Sequence, residues 1–324
     1  MKRTLLATCA SVVLVLTAGP APGSFAPVFR KVSSHCYYVE PPTGTANTAA
    51  VMAGDGILLI DPPPPAETPE LLNALRNITA RPVRWVVYTD YQRFRAGDSA
   101  SFQKMDALII GSKEQDRLAA SLPAADPNLV AQPEPMRPNP RFLFGRQLHL
   151  FPADIEIRIL AVRHRARTAG DVIVFVPSEN VLAVGDLFNP SSYPLIDSGP
   201  GEGSATGWID GLKQVIDSVP LLKSAIPQPK PEPKPKPEPA AVPELEKTLE
   251  ELVTVIPGHG APSNLLQMKD LLSTAQKLKA ETARAVSYRR TREEFLRLLS
   301  WDAYGSYGNL EAFAGQLFDD LFRK

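Results

Sequence analysis

The sequence is poor in cysteine and histidine and has no excess of either charge. It contains two cysteines and four histidines in 324 residues, and its 35 Lys and Arg are balanced by 35 Asp and Glu. A chain without net charge has no overall field that would favour nucleic acid or an anionic membrane. Neither class of partner is therefore expected.

Long apolar runs are also missing, except at the N-terminus. There Lys2 and Arg3 precede an apolar run from Leu5 to Thr17, and small residues follow through Ser24. This run is shorter than the ~20 apolar residues that a membrane span needs. The pattern predicts a secretory signal peptide over residues 1–23, with a retained membrane anchor as the alternative. We therefore expect a periplasmic or secreted protein with no stable membrane insertion after cleavage.

Cysteine cannot crosslink the mature chain. Cys9 lies inside the predicted signal peptide, so Cys36 is left alone and no internal disulfide can form. On the predicted strand that holds Cys36, the neighbouring His35 points to the opposite face and cannot serve as its base. An enzyme with a cysteine nucleophile is therefore disfavoured.

Short apolar runs alternate with helical stretches through residues 24–263. This alternation predicts one large α/β domain in which helices cover the sheets. The predicted strands are 56–61, 84–89, 107–110, 155–162, 172–176 and 181–186, and the predicted helices are 69–77, 113–121 and 208–218. Residues 264–324 predict C-terminal helices over 265–286, 292–301 and 309–321. Spacing alone does not distinguish a doubly wound sheet from a four-layer αβ/βα sandwich.

Proline is concentrated in residues 227–243, where it alternates with Lys and Glu. Such a segment can neither pair into a sheet nor continue a helix, and polyproline II is its expected form, at ~3.1 Å per residue. We interpret it as a surface insertion. The alternative is a docking arm for a periplasmic or cell-wall partner.

The loop after the predicted strand 84–89 has an unusual set of side chains. It starts at Thr89, closes on Gly97, and holds Asp90, Gln92, Phe94 and Arg95. Further along the chain, polar residues again follow apolar strands or sit in short glycine motifs. They are Asn47, Asp61 after Gly56-Ile57-Leu58-Leu59-Ile60, Arg167 in Arg167-Thr168-Ala169-Gly170-Asp171, Asp186 after Val184-Gly185, and His259 in Ile256-Pro257-Gly258-His259-Gly260.

In this ordered set the chain resembles the metallo-β-lactamase superfamily, over roughly residues 28–263. The superfamily's loop reads T-H-x-H-x-D-H, and its His and Asp side chains hold two metal ions. The resemblance implies a four-layer αβ/βα sandwich, here with a helical C-terminal extension. It also implies a cleft that contains Asp90, Gln92, Phe94, Arg95, Arg167, Asp186 and His259, supported by Asp61, Thr89 and Gly97.

The metal ligands of the superfamily are mostly replaced in this cleft. Of the seven usual ligand positions only Asp186 and His259 keep the family's residue types. Zinc is held by neutral imidazole, thiolate or carboxylate, whereas a guanidinium repels it. No zinc cofactor is therefore expected. Asp90, Asp186 and His259 are weak candidates for a single Mn²⁺ or Mg²⁺ ion.

Arginine is expected to take over the neutralising role of the metal. Two carboxylates that meet in a cleft without a cation would repel each other. Either Arg95 or Arg167 is expected to form a bidentate pair with Asp186. His164 is not expected to substitute as a ligand, because its offset of three residues from Arg167 along the predicted strand turns it to the other face.

These residues favour a metallo-β-lactamase-fold pseudoenzyme with a binding or scaffolding role. Its partner would be a small molecule or a periplasmic or extracellular protein. The alternative is a hydrolase of ester, thioester or lactam bonds that uses an altered, single-metal or metal-free site. The sequence leaves open whether the chain is an enzyme.

Overall fold

A computed structural model describes residues 26–39, 46–92, 98–121, 142–153, 155–224, 248–305 and 307–323. The predicted signal peptide, the proline-rich insertion and the loop residues Phe94, Arg95 and Gly97 lie outside the described residues. Among the described residues, no helix is both long enough and apolar enough to cross a membrane.

The first half of the chain forms a seven-stranded sheet. Its strands, in their order across the sheet, are β1 (Phe29–Lys31), β2 (Cys36–Val39), β3 (Thr48–Ala53), β4 (Gly56–Ile60), β5 (Val83–Val87), β6 (Leu108–Ser112) and β7 (Phe142–Phe144). Strands β1 to β4 are antiparallel, and β4 to β7 are parallel. All residues of β3 and β4 are buried, as expected for strands covered on both faces.

The second half forms a six-stranded sheet. In chain order its strands are β8 (Gln147–Leu150), β9 (Ile157–Ala161), β10 (Val172–Val176), β11 (Val181–Gly185), β12 (Thr254–Pro257) and β13 (Ser263–Asn264), and their order across the sheet is the same. Among these six strands, β11 and β12 pair in parallel, and the other neighbours pair antiparallel. The parallel pair brings the carboxyl ends of these two strands to one edge.

Helices cover the outer face of each sheet. They are α1 (Thr68–Arg76), α2 (Ser99–Lys104), α3 (Lys113–Ser121), α4 (Ala205–Ser224), α5 (Leu249–Leu252), α6 (Leu265–Ser287), α7 (Arg292–Leu298) and α8 (Leu310–Phe322). Strand β10 shows the layering: Val172, Val174 and Val176 face the other sheet, and Ile173 and Phe175 face the helices. The predicted four-layer αβ/βα sandwich is therefore confirmed.

The C-terminal helices pack on the sandwich through an aromatic cluster. Phe313 of α8 lies 4.7 Å from Tyr193 and 5.1 Å from Trp208 of α4, measured between ring centroids. The prediction of one helix over 292–301 is wrong, because Leu299 is extended (φ −68°, ψ 131°) and ends α7. That backbone turns the buried Leu299 into the core, and a 3₁₀ turn follows at Trp301–Tyr304.

Candidate functional site

The two sheets place three predicted site residues at strand ends. Asp90 follows β5, Asp186 follows β11 and His259 follows β12. The carboxyl ends of parallel strands are the usual location of ligand sites in α/β proteins. Arg167 reaches the same place from the loop between β9 and β10, so residues far apart in sequence meet in one cleft.

Arg167 occupies the centre of this cleft. Its Nη1 lies 3.0 Å from Asp90 Oδ2, and its Nη2 donates to Gln92 Oε1 at 2.8 Å and lies 3.6 Å from Asp186 Oδ2. The side chains of Arg167 and Asp90 are 13% and 3% exposed. Burial alone would lower the pKa of Arg167, but the surrounding carboxylates, first Asp90 and then Asp186, raise it overall. The guanidinium is therefore a permanent cation between two carboxylates.

The contact of Arg167 with Asp186 differs from the expected bidentate pair. Arg167 divides its two terminal nitrogens between Asp90 and Asp186, and the contact with Asp90 is the shorter one. One cation thus serves a carboxylate from each sheet. The contact with Asp90 is a charge-assisted hydrogen bond at 3.0 Å, a strong class of hydrogen bond in proteins, whereas the contact with Asp186 at 3.6 Å is an ion pair only.

His259 and Asp186 form a second pair at the rim of the cleft. His259 Nε2 lies 3.3 Å from Asp186 Oδ1, and the His259 side chain is 39% exposed. The loop that carries His259 approaches Asp186 closely, since a Cβ on Gly258 would lie only 2.0 Å from Asp186 Oδ1. Glycine at this position is required for the pair to form.

Asp61 and Asn47 fix the two loops that carry Asp90 and His259. Asp61 accepts hydrogen bonds from the Thr89 N–H at 2.7 Å and from the Thr89 hydroxyl at 2.6 Å, which fixes the start of the Asp90 loop. The amide of Asn47 donates to the carbonyls of Pro257 at 2.9 Å and Gly260 at 2.7 Å. These contacts position His259 from both sides.

Asp197 is a cleft residue that sequence reasoning missed. It accepts hydrogen bonds from the Tyr91 hydroxyl and from Gln92 Nε2, the latter at 3.0 Å. Its backbone N–H donates to the carbonyl of Arg167 at 3.0 Å. Burial and the hydrogen bond to Asp197 raise the pKa of Tyr91. The only sequence signal was the glycine-rich run at 199–203 that follows it.

Asp171 supports the Arg167 loop from the protein interior. Its carboxyl oxygens accept from the Thr168 N–H at 3.0 Å and from the Thr168 hydroxyl at 2.6 Å. Burial raises the pKa of Asp171 from 3.8 to about 7, although the hydrogen bonds from Thr168 oppose the shift. The folded chain therefore holds this proton at a pH where the unfolded chain releases it.

This shift predicts a pH-dependent stability. Above the unfolded pKa and below the folded pKa, the folded state binds the extra proton, so stability should fall as pH rises between about 4 and 7. Replacing Asp171 with Asn should remove this part of the slope, and urea unfolding across that range measures it. Equal slopes in the parent and Asp171→Asn would contradict the assignment.

The donor set does not fit the zinc site that the family resemblance implies. The carboxylates of Asp90 and Asp186, which could act as ligands, both face the Arg167 guanidinium. Within the described parts of the chain, no group of three or more His, Cys, Asp or Glu side chains is placed to hold a metal ion. The cation that lies between these two carboxylates is a side chain of the protein itself.

The other histidines and Cys36 lie away from the cleft. His35 pairs with Glu179 at 2.6 Å, and Cys36 beside it is buried. His149 lies 3.1 Å from Glu156. His164 is exposed in a bend after β9 and not on a strand, because the chain leaves the sheet at Ala161.

Solved structures share this architecture. The metallo-β-lactamase from Pontibacter korlensis aligns with a TM-score of 0.55 at 17% identity over 77% of this chain and 99% of its own. The DIM-1 metallo-β-lactamase aligns with a TM-score of 0.55 at 15% identity over 78% of this chain and 97% of its own.

A larger enzyme aligns over more of the chain. The stereoselective inverting sec-alkylsulfatase Pisa1 from Pseudomonas sp. gives a TM-score of 0.65 at 14% identity, over 91% of this chain and 50% of its own. A scan against protein-family profiles and a search of curated proteins found no match. At these identities the comparisons establish the fold, so the chain has the metallo-β-lactamase fold.

Proposed function

We propose that this protein is a non-hydrolytic member of the metallo-β-lactamase fold that acts by binding or scaffolding. The observation that supports this proposal is the position of Arg167, whose guanidinium bridges Asp90 and Asp186 where the superfamily places metal ions. A guanidinium is charged at any ordinary pH and supplies no activated water. One guanidinium thus offsets part of the negative charge of Asp90 and Asp186, and it supplies no hydrolytic nucleophile.

The proposed partner follows from the predicted location. A signal peptide over residues 1–23 would deliver the chain to the periplasm or the exterior, where it would bind a small molecule or a periplasmic or extracellular protein. The balanced charge of the sequence gives no reason to propose nucleic acid. No zinc cofactor is part of this proposal.

Zinc titration tests the proposal. We expect chelator-treated protein to show no zinc site tighter than micromolar by calorimetry, because Arg167 lies against the oxygens that a metal would need. Asp186→Asn and His259→Ala serve as matched controls. Neither substitution should change the small heat of weak zinc binding. A nanomolar site that is lost in both variants would overturn the proposal.

A hydrolase remains the second candidate, and the His259 pair favours it. His259 lies 3.3 Å from Asp186 and is partly exposed to the cleft. A histidine that a carboxylate orients can take a proton from water, which is general base catalysis. Hydrolysis of p-nitrophenyl acetate or a chromogenic cephalosporin that disappears in His259→Ala would favour the enzyme, and activity unchanged in that variant would exclude this base.

A further inference from the structure

A cavity of about 380 Å³ lies beside the Arg167 loop, outside the cleft. It is bounded by the turn between β7 and β8, the loop after β9 and the start of α3. Three arginines line it, namely Arg146, Arg163 and Arg165. All three are exposed to solvent. The cavity is therefore open and strongly basic on one side.

The acidic groups near this cavity are already paired. Glu114, which lines it, accepts from Arg117 Nε at 2.9 Å. Glu202 lies 3.0 Å from Arg117 Nη1 and 3.3 Å from Arg165 Nη2. Asp171 also lines the cavity, but Thr168 donates to both of its carboxyl oxygens. Among the described residues, the contacts of these carboxylates are thus with Arg117, Arg165 and Thr168, not with Arg146 or Arg163.

Arg146 and Arg163 have no partner for their guanidinium groups among the described residues, whereas their backbones are fixed. The carbonyl of Arg146 accepts from the Ala161 N–H at 2.9 Å, and the Arg163 N–H donates to Gln214 Oε1 at 2.9 Å. Two cationic side chains thus line one cavity from backbone positions that hydrogen bonds fix.

The start of α3 forms one wall of the same cavity. Ser112 and Gln115 cap this nine-residue helix reciprocally: Gln115 N–H donates to Ser112 Oγ at 3.1 Å, and Ser112 N–H donates to Gln115 Oε1 at 2.9 Å. Ser112 also lines the cavity. Glu114 and Asp116 in the first turn of α3 offset the partial positive charge of this helix N-terminus, so the arginines are the groups that favour an anion here.

We propose that this cavity binds a phosphate-bearing small molecule, with Arg146 and Arg163 as its anion ligands. A guanidinium presents a planar fork of donors that matches phosphate oxygens. The volume of about 380 Å³ exceeds that of one phosphate group and leaves room for an organic part of the ligand. This site is distinct from the Arg167 cleft, so the inference stands whether or not the cleft is hydrolytic.

Calorimetry with inorganic pyrophosphate tests the assignment on the full chain at low ionic strength. We expect saturable one-to-one binding that is about tenfold weaker in Arg146→Gln and in Arg163→Gln, because each variant loses a charge-assisted hydrogen bond. Both arginines are exposed, so their variants should fold, and thermal melting checks this. Arg297→Gln, an exposed arginine on α7, is the matched control and should bind like the parent.

Three results would overturn the inference. The first is the absence of saturable heat with pyrophosphate. The second is unchanged affinity in the double variant of Arg146→Gln and Arg163→Gln. The third is tighter binding of citrate than of pyrophosphate, which would assign the cavity to carboxylates instead of phosphates.

Discussion

Replacing Arg167 with methionine should lower the free energy of unfolding by about 3 to 5 kcal/mol, the usual cost of removing one partner from a buried ion pair. Methionine fills much of the same volume but leaves Asp90 and Asp186 without their shared cation. In a domain of this size the melting temperature should fall by about 10 °C. Thermal and urea unfolding measure the change.

A matched arginine on the surface provides the control for this variant. Arg84 pairs with Asp55 at 3.3 Å, and their side chains are 47% and 79% exposed. Arg84→Met should therefore cost less than about 1 kcal/mol. Adding Asp90→Asn to Arg167→Met should recover part of the loss, since one uncompensated charge is removed. A melting temperature that is unchanged in Arg167→Met would refute the buried bridge.

Replacing Gly185 with alanine should lower the free energy of unfolding by a similar amount, for a steric reason. Gly185 has φ +54°, and an added Cβ would lie 1.9 Å from Thr89 Oγ1. Thr89 cannot move aside, because its hydroxyl and its N–H both bond Asp61. The strained backbone and the overlap together should cost about 4 kcal/mol. Urea unfolding measures the loss.

An alanine variant at Gly260 separates the effect of backbone strain from the effect of steric overlap. It has φ +80°, and a Cβ added there meets nothing within 4 Å, so Gly260→Ala carries the backbone strain without the overlap. That variant should lose only ~1 to 2 kcal/mol. If both alanine variants lost the same amount, the close approach of Gly185 and Thr89 would not be a determinant of stability.

The strong patterning of the apolar strands predicts sheets covered by helices, and the resemblance to the metallo-β-lactamase superfamily, not the spacing, implies the four-layer sandwich. Strand β10 was predicted at its observed bounds, since Val172–Val176 is an unbroken β-branched and aromatic run. The start of α4 was placed three residues late, at 208 instead of Ala205, and its end six residues early, at 218 instead of Ser224. Helix ends depend on tertiary contacts, and here Asp320 of α8 accepts from the Thr206 N–H at 3.0 Å.

The cleft was predictable only in part. The family resemblance places four residues in the cleft because each follows a strand or sits in a short glycine motif, namely Asp90, Arg167, Asp186 and His259. Asp197 lies in an irregular loop, and its position depends on close packing that no local pattern encodes. A Cβ on Gly203 would lie 2.1 Å from the Arg167 carbonyl, which shows how tightly the two loops fit.

The placement of Arg167 also bears on how the two halves of the sandwich are joined. Asp90 lies in a loop of the first sheet, after β5, whereas Arg167 and Asp186 lie in loops of the second sheet, after β9 and β11. The short contact between Arg167 and Asp90 therefore links the two halves of the sandwich, and both groups are side chains of the protein. A chelator cannot break this ion pair, and the pair forms without any metal ion from solution.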